Sequence, residues 1–72
     1  NPSFEDFTIT MDGDLSETME VRVFDMNGNL VEYREAGMDE YEVRFGRDLS
    51  SGIYMIQVTR GSFTKVLKAN KL

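Results

Sequence analysis

Residues 49–58, Leu-Ser-Ser-Gly-Ile-Tyr-Met-Ile-Gln-Val, join the clearest turn signal of the chain to its clearest strand signal. The Ser-Ser-Gly triplet is typical of a turn, and the apolar and aromatic run that follows favours a strand. Tyr54, Ile56 and Val58 recur with a period of two, so they share one face of that strand. We therefore expect a central core strand here, with shorter strands packed around it.

The rest of the chain shows the same alternation in shorter runs, which turn signals separate. Asn27-Gly28 between two apolar runs is the strongest hairpin signal, and Arg60-Gly61-Ser62 marks another turn. The strands that this alternation predicts are residues 7–11, 19–24, 30–35, 41–45, 53–59 and 63–69. Lysines at 65, 68 and 71 also suit a helix, but the short run and the preceding turn favour a strand.

Short strands with turn signals and no helical period between them indicate an all-β, two-sheet sandwich. The 72 residues have room for a single domain with a small core. The expected core residues are Phe7, Ile9, Val21, Val23, Leu30, Val31, Tyr33, Tyr41, Val43, Phe45, Leu49, Tyr54, Ile56, Val58, Val66 and Leu67.

The residue types that are missing exclude several kinds of chemistry. The chain has no cysteine and no histidine, which excludes a thiol catalyst, a Cys-rich zinc site and a Ser-His-Asp triad. Two clusters of acidic residues are candidates for a metal or a catalytic site. Asp12-Gly13-Asp14 is either a calcium loop or, as we expect, a solvated turn, and Asp39-Glu40 with Glu42 more often flanks a strand than performs acid-base catalysis. We expect no enzyme activity, no metal and no cofactor.

The charge of the chain changes sign along its length. The first 48 residues contain all 13 acidic side chains and four basic ones, giving −9, and the last 24 contain four basic side chains and no acid, giving +4. Either the basic end binds an anionic partner, or acidic strands beside it neutralise it locally. The overall charge of −5 argues against a nucleic acid partner. No apolar run approaches the roughly 20 residues of a transmembrane helix.

Several of these stretches occur together, in one order, in a known family. They are Asn-Pro at 1–2, Phe-Thr-Ile at 7–9, Val-Arg-Val-Phe-Asp-Met-Asn-Gly-Asn-Leu-Val at 21–31, the opening stretch at 49–58, and Thr-Lys-Val-Leu-Lys at 64–68. With them the whole chain resembles the C-terminal sorting domain of type IX secretion cargo. The family motifs match at Asp25 and Gly28, at Leu49, Gly52 and Tyr54, and at Lys65 and Lys68 of the last strand.

The resemblance implies a small immunoglobulin-like antiparallel β-sandwich of six to seven strands, spanning residues 1–72 as one domain. Such a domain is covalently part of a larger secreted or cell-surface cargo protein of a Bacteroidetes-type, Gram-negative bacterium. It is exported from the periplasm across the outer membrane. Its implied partners are the outer-membrane type IX translocation machinery and a sortase-like surface peptidase, which can remove the domain and link the cargo to anionic lipopolysaccharide.

We hypothesise that the machinery reads the edge of residues 63–72 by strand addition or by charge. The candidate recognition residues are Lys65, Lys68, Lys71 and Leu72. Edge strands can also pair with a second copy, so a homodimer is an open alternative to a monomer. The alternative function is an accessory immunoglobulin-like or fibronectin-like module of an extracellular enzyme, either a spacer or a carbohydrate-binding domain.

Overall fold

A computed structural model describes residues 2–3, 6–10, 17–37 and 42–72 of the chain. Within these ranges every regular element is a strand, which confirms the predicted all-β class. The strands are β1 (Pro2–Ser3), β2 (Phe7–Thr10), β3 (Met19–Phe24), β4 (Leu30–Ala36), β5 (Glu42–Phe45), β6 (Gly52–Arg60) and β7 (Phe63–Lys71).

The strands form two sheets that pack on one another. The larger sheet has the order β1-β7-β6-β3-β4, and the smaller one pairs β2 with β5. The pairing is antiparallel except between β1 and β7, which are parallel. Phe7 and Phe45 of the smaller sheet, with ring centroids 5.5 Å apart, lie in the core with side chains of the larger sheet. This sandwich-like arrangement fits the predicted immunoglobulin-like fold.

The strands lie close to where alternation predicts them. β3 has the predicted bounds, while β6 and β7 are each longer than predicted. β7 pairs with β6 from Phe63 to Lys71, so the helical alternative for this segment is wrong. β1 is an additional strand, since its two residues lie before the first alternating run and no strand is predicted there. The acidic groups at 12–14 and 39–40, and the predicted core residue Tyr41, lie outside the described residues.

The core lies between the smaller sheet and one face of the larger sheet, called here the inner face. Alternate residues of β3 and β6 point into it, as their period of two predicts. Its buried apolar members are Phe7, Met19, Val21, Val23, Ala36, Val43, Phe45, Tyr54, Ile56, Val58 and Ala69, with Ile9, Leu49 and Leu67 partly buried beside them.

The core prediction was wrong for four residues, which are exposed: Leu30, Val31, Tyr33 and Val66. In β4 the reason is register. Glu32 lies opposite the buried Val23, so Tyr33 points to the opposite face of the sheet, called here the outer face. The ladder then shifts between Val23 and Phe24, which brings Leu30 opposite Phe24 on the outer face.

In β7 two adjacent apolar residues made the inward face ambiguous. Leu67 lies opposite the buried Ile56 and points inward, which sends Val66 outward opposite Gln57. Among the described residues, the prediction also missed three buried apolar ones: Met19, Ala36 and Ala69.

Candidate functional site

The side chain of Asp25 closes the turn between β3 and β4. Its Oδ1 accepts hydrogen bonds from the backbone N–H of Asn27 and of Asn29, both at 2.9 Å. The backbone N–H of Gly28 donates to the carbonyl of Asp25 at 3.0 Å. The bond from the Asn29 N–H, more than any other cause, lowers the pKa of Asp25, while partial desolvation opposes it. Asp25 and Gly28 therefore build a turn that the chain closes locally.

The second group of family-motif residues attaches the loop before β6 to the core. The ring of Tyr54 is buried, and its hydroxyl donates a hydrogen bond to the carbonyl of Ser50 at 2.7 Å. Leu49 packs against the core, and Gly52 begins β6 opposite Lys71. A buried hydroxyl requires a partner, so Tyr54 fixes the loop much as the tyrosine corner does in immunoglobulin-like domains.

The main chain of Gly46 joins three segments that are distant in the sequence. Its N–H donates to Oε1 of Glu32 in β4 at 3.0 Å, and its carbonyl accepts from Nζ of Lys71 in β7 at 2.5 Å. Lys71 also donates to the carbonyl of Arg47 at 3.2 Å and is only 4% exposed. A buried ammonium must be hydrogen-bonded. The Gly46 junction, made of Glu32, Gly46 and Lys71, thus ties the end of β7 to the turn before β6.

Sequence reasoning missed the Gly46 junction, because Lys71 was grouped with the exposed lysines. One signal in the sequence points to it. Leu67 and Ala69 are inward-facing residues of β7, and Lys71 continues their period of two. The bonds to Gly46 and Glu32 have no comparable signal, since they span 25 and 14 residues of chain.

The four candidate recognition residues do not form one cluster. Lys65 and Lys68 are both exposed, but Lys65 lies opposite Val58, on the inner-face side of β7, and Lys68 lies opposite Met55, on the outer face. Leu72 is also exposed. Lys71 is separated from these three by its burial in the Gly46 junction.

One edge of β7 is largely open. Along one side β7 pairs with β6 over its whole length. Along the other, β1 lies beside Asn70 and Lys71 only. Within the described ranges no strand borders residues 63–69 on that side. The backbone groups of such an edge can pair with another chain.

The described part of the chain has neither of two features that mark other classes of site. Its side chains include no group of three or more acidic residues placed to hold a metal ion. Of the elements in these ranges, none is a helix of the length and hydropathy that crossing a membrane requires.

In a comparison with known protein families, residues 1–70 match the family of the secretion system C-terminal sorting domain. Searches of curated proteins and of solved structures give no match. A domain of this family is part of a larger cargo protein, interacts with the type IX secretion machinery and implies export across the outer membrane to the surface or the extracellular space. A sorting signal is not itself catalytic. The match covers nearly the whole chain, which therefore belongs to this family and is a C-terminal sorting signal for type IX secretion.

Proposed function

We propose that the outer-membrane translocation machinery reads the sorting signal along residues 63–72. The observation that carries this proposal is the open edge of β7, because an exposed strand edge offers both backbone hydrogen bonds and side chains to a partner. Lys65, Lys68 and Leu72 are its exposed contact residues. The last 24 residues contain no acid, so a partner with an acidic groove meets only positive charge there.

In this proposal Lys71 positions the strand end and does not touch the machinery. Its ammonium is buried against the carbonyls of Gly46 and Arg47. Because these bonds hold the residue before Leu72, they fix the place at which the exposed end of the chain is presented.

Removal of the domain after export is a further part of the proposal. The resemblance of the chain to sorting domains of Gram-negative Bacteroidetes-type bacteria supports a sortase-like surface peptidase, which would separate residues 1–72 as one unit from the cargo and attach the cargo to lipopolysaccharide. Mass spectrometry of the exported cargo is expected to find it without the domain. Cargo that reaches the surface with the domain still attached would contradict this step.

The recognition step is tested with a periplasmic reporter that has the chain fused to its C-terminus, expressed in a host with type IX secretion. We expect the reporter in the medium with the full chain, and in the periplasm when the chain is absent or when residues 68–72 are deleted. Undiminished export by the deletion would overturn the proposal.

The deletion also removes Lys71, so a second variant separates loss of fold from loss of the read surface. Lys71→Met keeps Lys65, Lys68 and Leu72 but removes the bonds to Gly46 and Arg47. We expect this variant to retain part of the export at a temperature where thermal unfolding shows it to be folded. Export as low as that of the deletion, from a folded Lys71→Met variant, would place Lys71 itself in the recognised surface.

A further inference from the structure

The outer face of the larger sheet exposes several large apolar side chains to solvent. Leu30 is 53% exposed, Tyr33 45%, Ile53 38% and Val66 57%. The outward residues of sandwich strands are ordinarily polar. A contiguous apolar patch with a polar rim marks a protein interaction site more often than a solvated face.

The register of the strands makes this patch continuous. One row across the sheet runs Val66, Gln57, Arg22, Tyr33, and the next runs Lys68, Met55, Phe24, Leu30. Arg22 is held in place within the first row. Its guanidinium lies 5.1 Å from the centre of the Tyr33 ring, and its Nη1 is 2.8 Å from Oε1 of Glu20. Met55, Phe24 and Leu30 are therefore apolar neighbours in the second row, while Val66 and Tyr33 lie at the two ends of the first row. Ile53, opposite Asn70, lies beyond the second row.

The charges of the outer face lie at opposite corners. Glu35 and Glu20 are paired neighbours on β4 and β3, at one end of the strands. Lys68 lies on β7, at the other side of the sheet and toward the other end of the strands. With Arg22, the described strands β3, β4, β6 and β7 present two positive and two negative side chains on this face, which balance one another although the chain as a whole has a net charge of −5.

We infer, independently of the proposed recognition of β7, that the outer face binds the outer face of a second copy of this chain. A two-fold symmetric interface must be complementary to itself. A neutral face with opposite charges at opposite corners meets that requirement, because one two-fold axis brings Lys68 of each copy over Glu35 of the other.

The position of the two charges defines the angle between the copies. Lys68 and Glu35 are separated by three strand spacings, roughly 14 Å, and by four residues along a strand, roughly 13 Å. A two-fold axis that exchanges these corners runs at about 45° to the strands, so the strands of the two copies cross at about 90°. Orthogonal crossing is one of the two common ways in which sheets pack face to face.

The size of the overlap between two crossed faces fits a weak dimer. The two longer extents of the molecule are 34 and 22 Å, so two faces that cross at about 90° overlap over at most roughly 480 Å² per copy, which is the size of a weak, transient interface. Each copy has a net charge of −5, which opposes association. We expect a weak dimer that forms in the micromolar to millimolar range and that competes with the translocation machinery for Lys68.

The proposed dimer is tested by sedimentation equilibrium of the 72-residue chain at increasing concentration. Variants that exchange the charges of Lys68 and Glu35 test its geometry. We expect the wild type to dimerise, and Lys68→Glu and Glu35→Lys each to weaken the dimer about tenfold or more, since the symmetric interface loses two pairs at once. The double variant Lys68→Glu, Glu35→Lys is expected to restore the wild-type affinity. Lys65→Glu, with the same change of net charge on the opposite side of the strand, is the matched control and is expected to change little.

Three results would overturn the proposal. The first is a wild-type chain that stays monomeric at every concentration. The second is a double variant that fails to restore the dimer while its thermal unfolding matches the wild type. The third is a monomeric chain in which Leu30→Asp, on β4 and away from the edge of β7, leaves the domain folded but abolishes reporter export, which would make the translocation machinery the occupant of the outer face.

Discussion

The turns at Gly28 and at Gly46 differ in where their hydrogen-bond partners come from. Between β3 and β4, Asp25 closes the turn with bonds to Asn27 and Asn29, all within five residues. Between β5 and β6, the main chain of Gly46 is held by Glu32 and Lys71, which come from other strands. Both glycines have nearly the same φ, +85° at Gly28 and +88° at Gly46.

This difference shows which part of the domain depends on the rest. The first turn can form from its own sequence. The second turn requires β4 and the end of β7 to be in place. It is therefore fully hydrogen-bonded only when β7 is paired in the sandwich. Variants in the second turn should therefore destabilise the domain more than equivalent variants in the first.

Gly46→Ala is expected to have the largest effect. A Cβ at Gly46 would lie 2.8 Å from Cδ2 of the buried Phe7 ring, and the positive φ adds strain. We expect a loss of about 2 to 4 kcal/mol in the free energy of unfolding, measured by urea denaturation. Gly28→Ala is the matched control, because its φ is similar but nothing lies within 4 Å of the new Cβ, and it should cost only about 1 to 2 kcal/mol. Equal losses would show that the contact with Phe7 does not matter.

Lys71→Met should have the next largest effect, because it breaks the Gly46 junction while keeping most of the side-chain volume. The carbonyls of Gly46 and Arg47 lose a charged hydrogen-bond donor. We expect the free energy of unfolding, measured by the same urea denaturation, to fall by about 2 kcal/mol. Lys68→Met, at an exposed position of the same strand, should stay within about 0.5 kcal/mol of the wild type. If the two variants were equally stable, the junction would not hold the end of β7.

Tyr54→Phe tests the local hydrogen bond to Ser50 in the second turn, apart from the long-range bonds at Gly46. The variant removes the bond from the hydroxyl to the carbonyl of Ser50 and keeps the buried ring. A loss of about 1 kcal/mol in thermal or urea unfolding is expected. Tyr33→Phe, on the exposed outer face, is the control and should leave the stability nearly unchanged. A larger loss of stability at Tyr33 than at Tyr54 would contradict the role given to the Tyr54 hydroxyl.

The smallest effect is a pH dependence in the first turn. The pKa of Asp25 is lowered in the folded state from 3.8, so near that pH the unfolded chain binds more protons than the folded one. The contribution of Asp25 is therefore complete above pH 3.8 and is lost as the pH falls toward the lowered pKa. Melting curves of wild type and Asp25→Asn, followed as the pH is lowered from neutral, should converge over that range. A difference that stays constant with pH would contradict this account.

The sequence predicts what local patterns determine. The turn at Asp25 to Gly28 and the alternation of β3 and β6 follow from residues that are neighbours or lie two apart. The family was recognised by the resemblance of several stretches, in their order along the chain, to the sorting domains. The inward face of β4 does not follow, because a register shift beside Phe24 puts Leu30 and Tyr33 on the outer face. Nor does the Gly46 junction follow, since lysine is rarely buried and only the packing of the sheets brings Lys71 to Gly46.

The central claim, that the exposed part of β7 is the surface that is read, is tested most directly by export of the reporter fusion with both exposed lysines reversed. Lys65→Glu with Lys68→Glu leaves Lys71 and the Gly46 junction intact, and Arg44→Glu with Arg47→Glu makes the same charge change on exposed residues near the smaller sheet. We predict that the first pair moves most of the reporter from the medium to the periplasm while the domain stays folded, and that the second pair does not. Full export by the Lys65 and Lys68 variant would contradict the account.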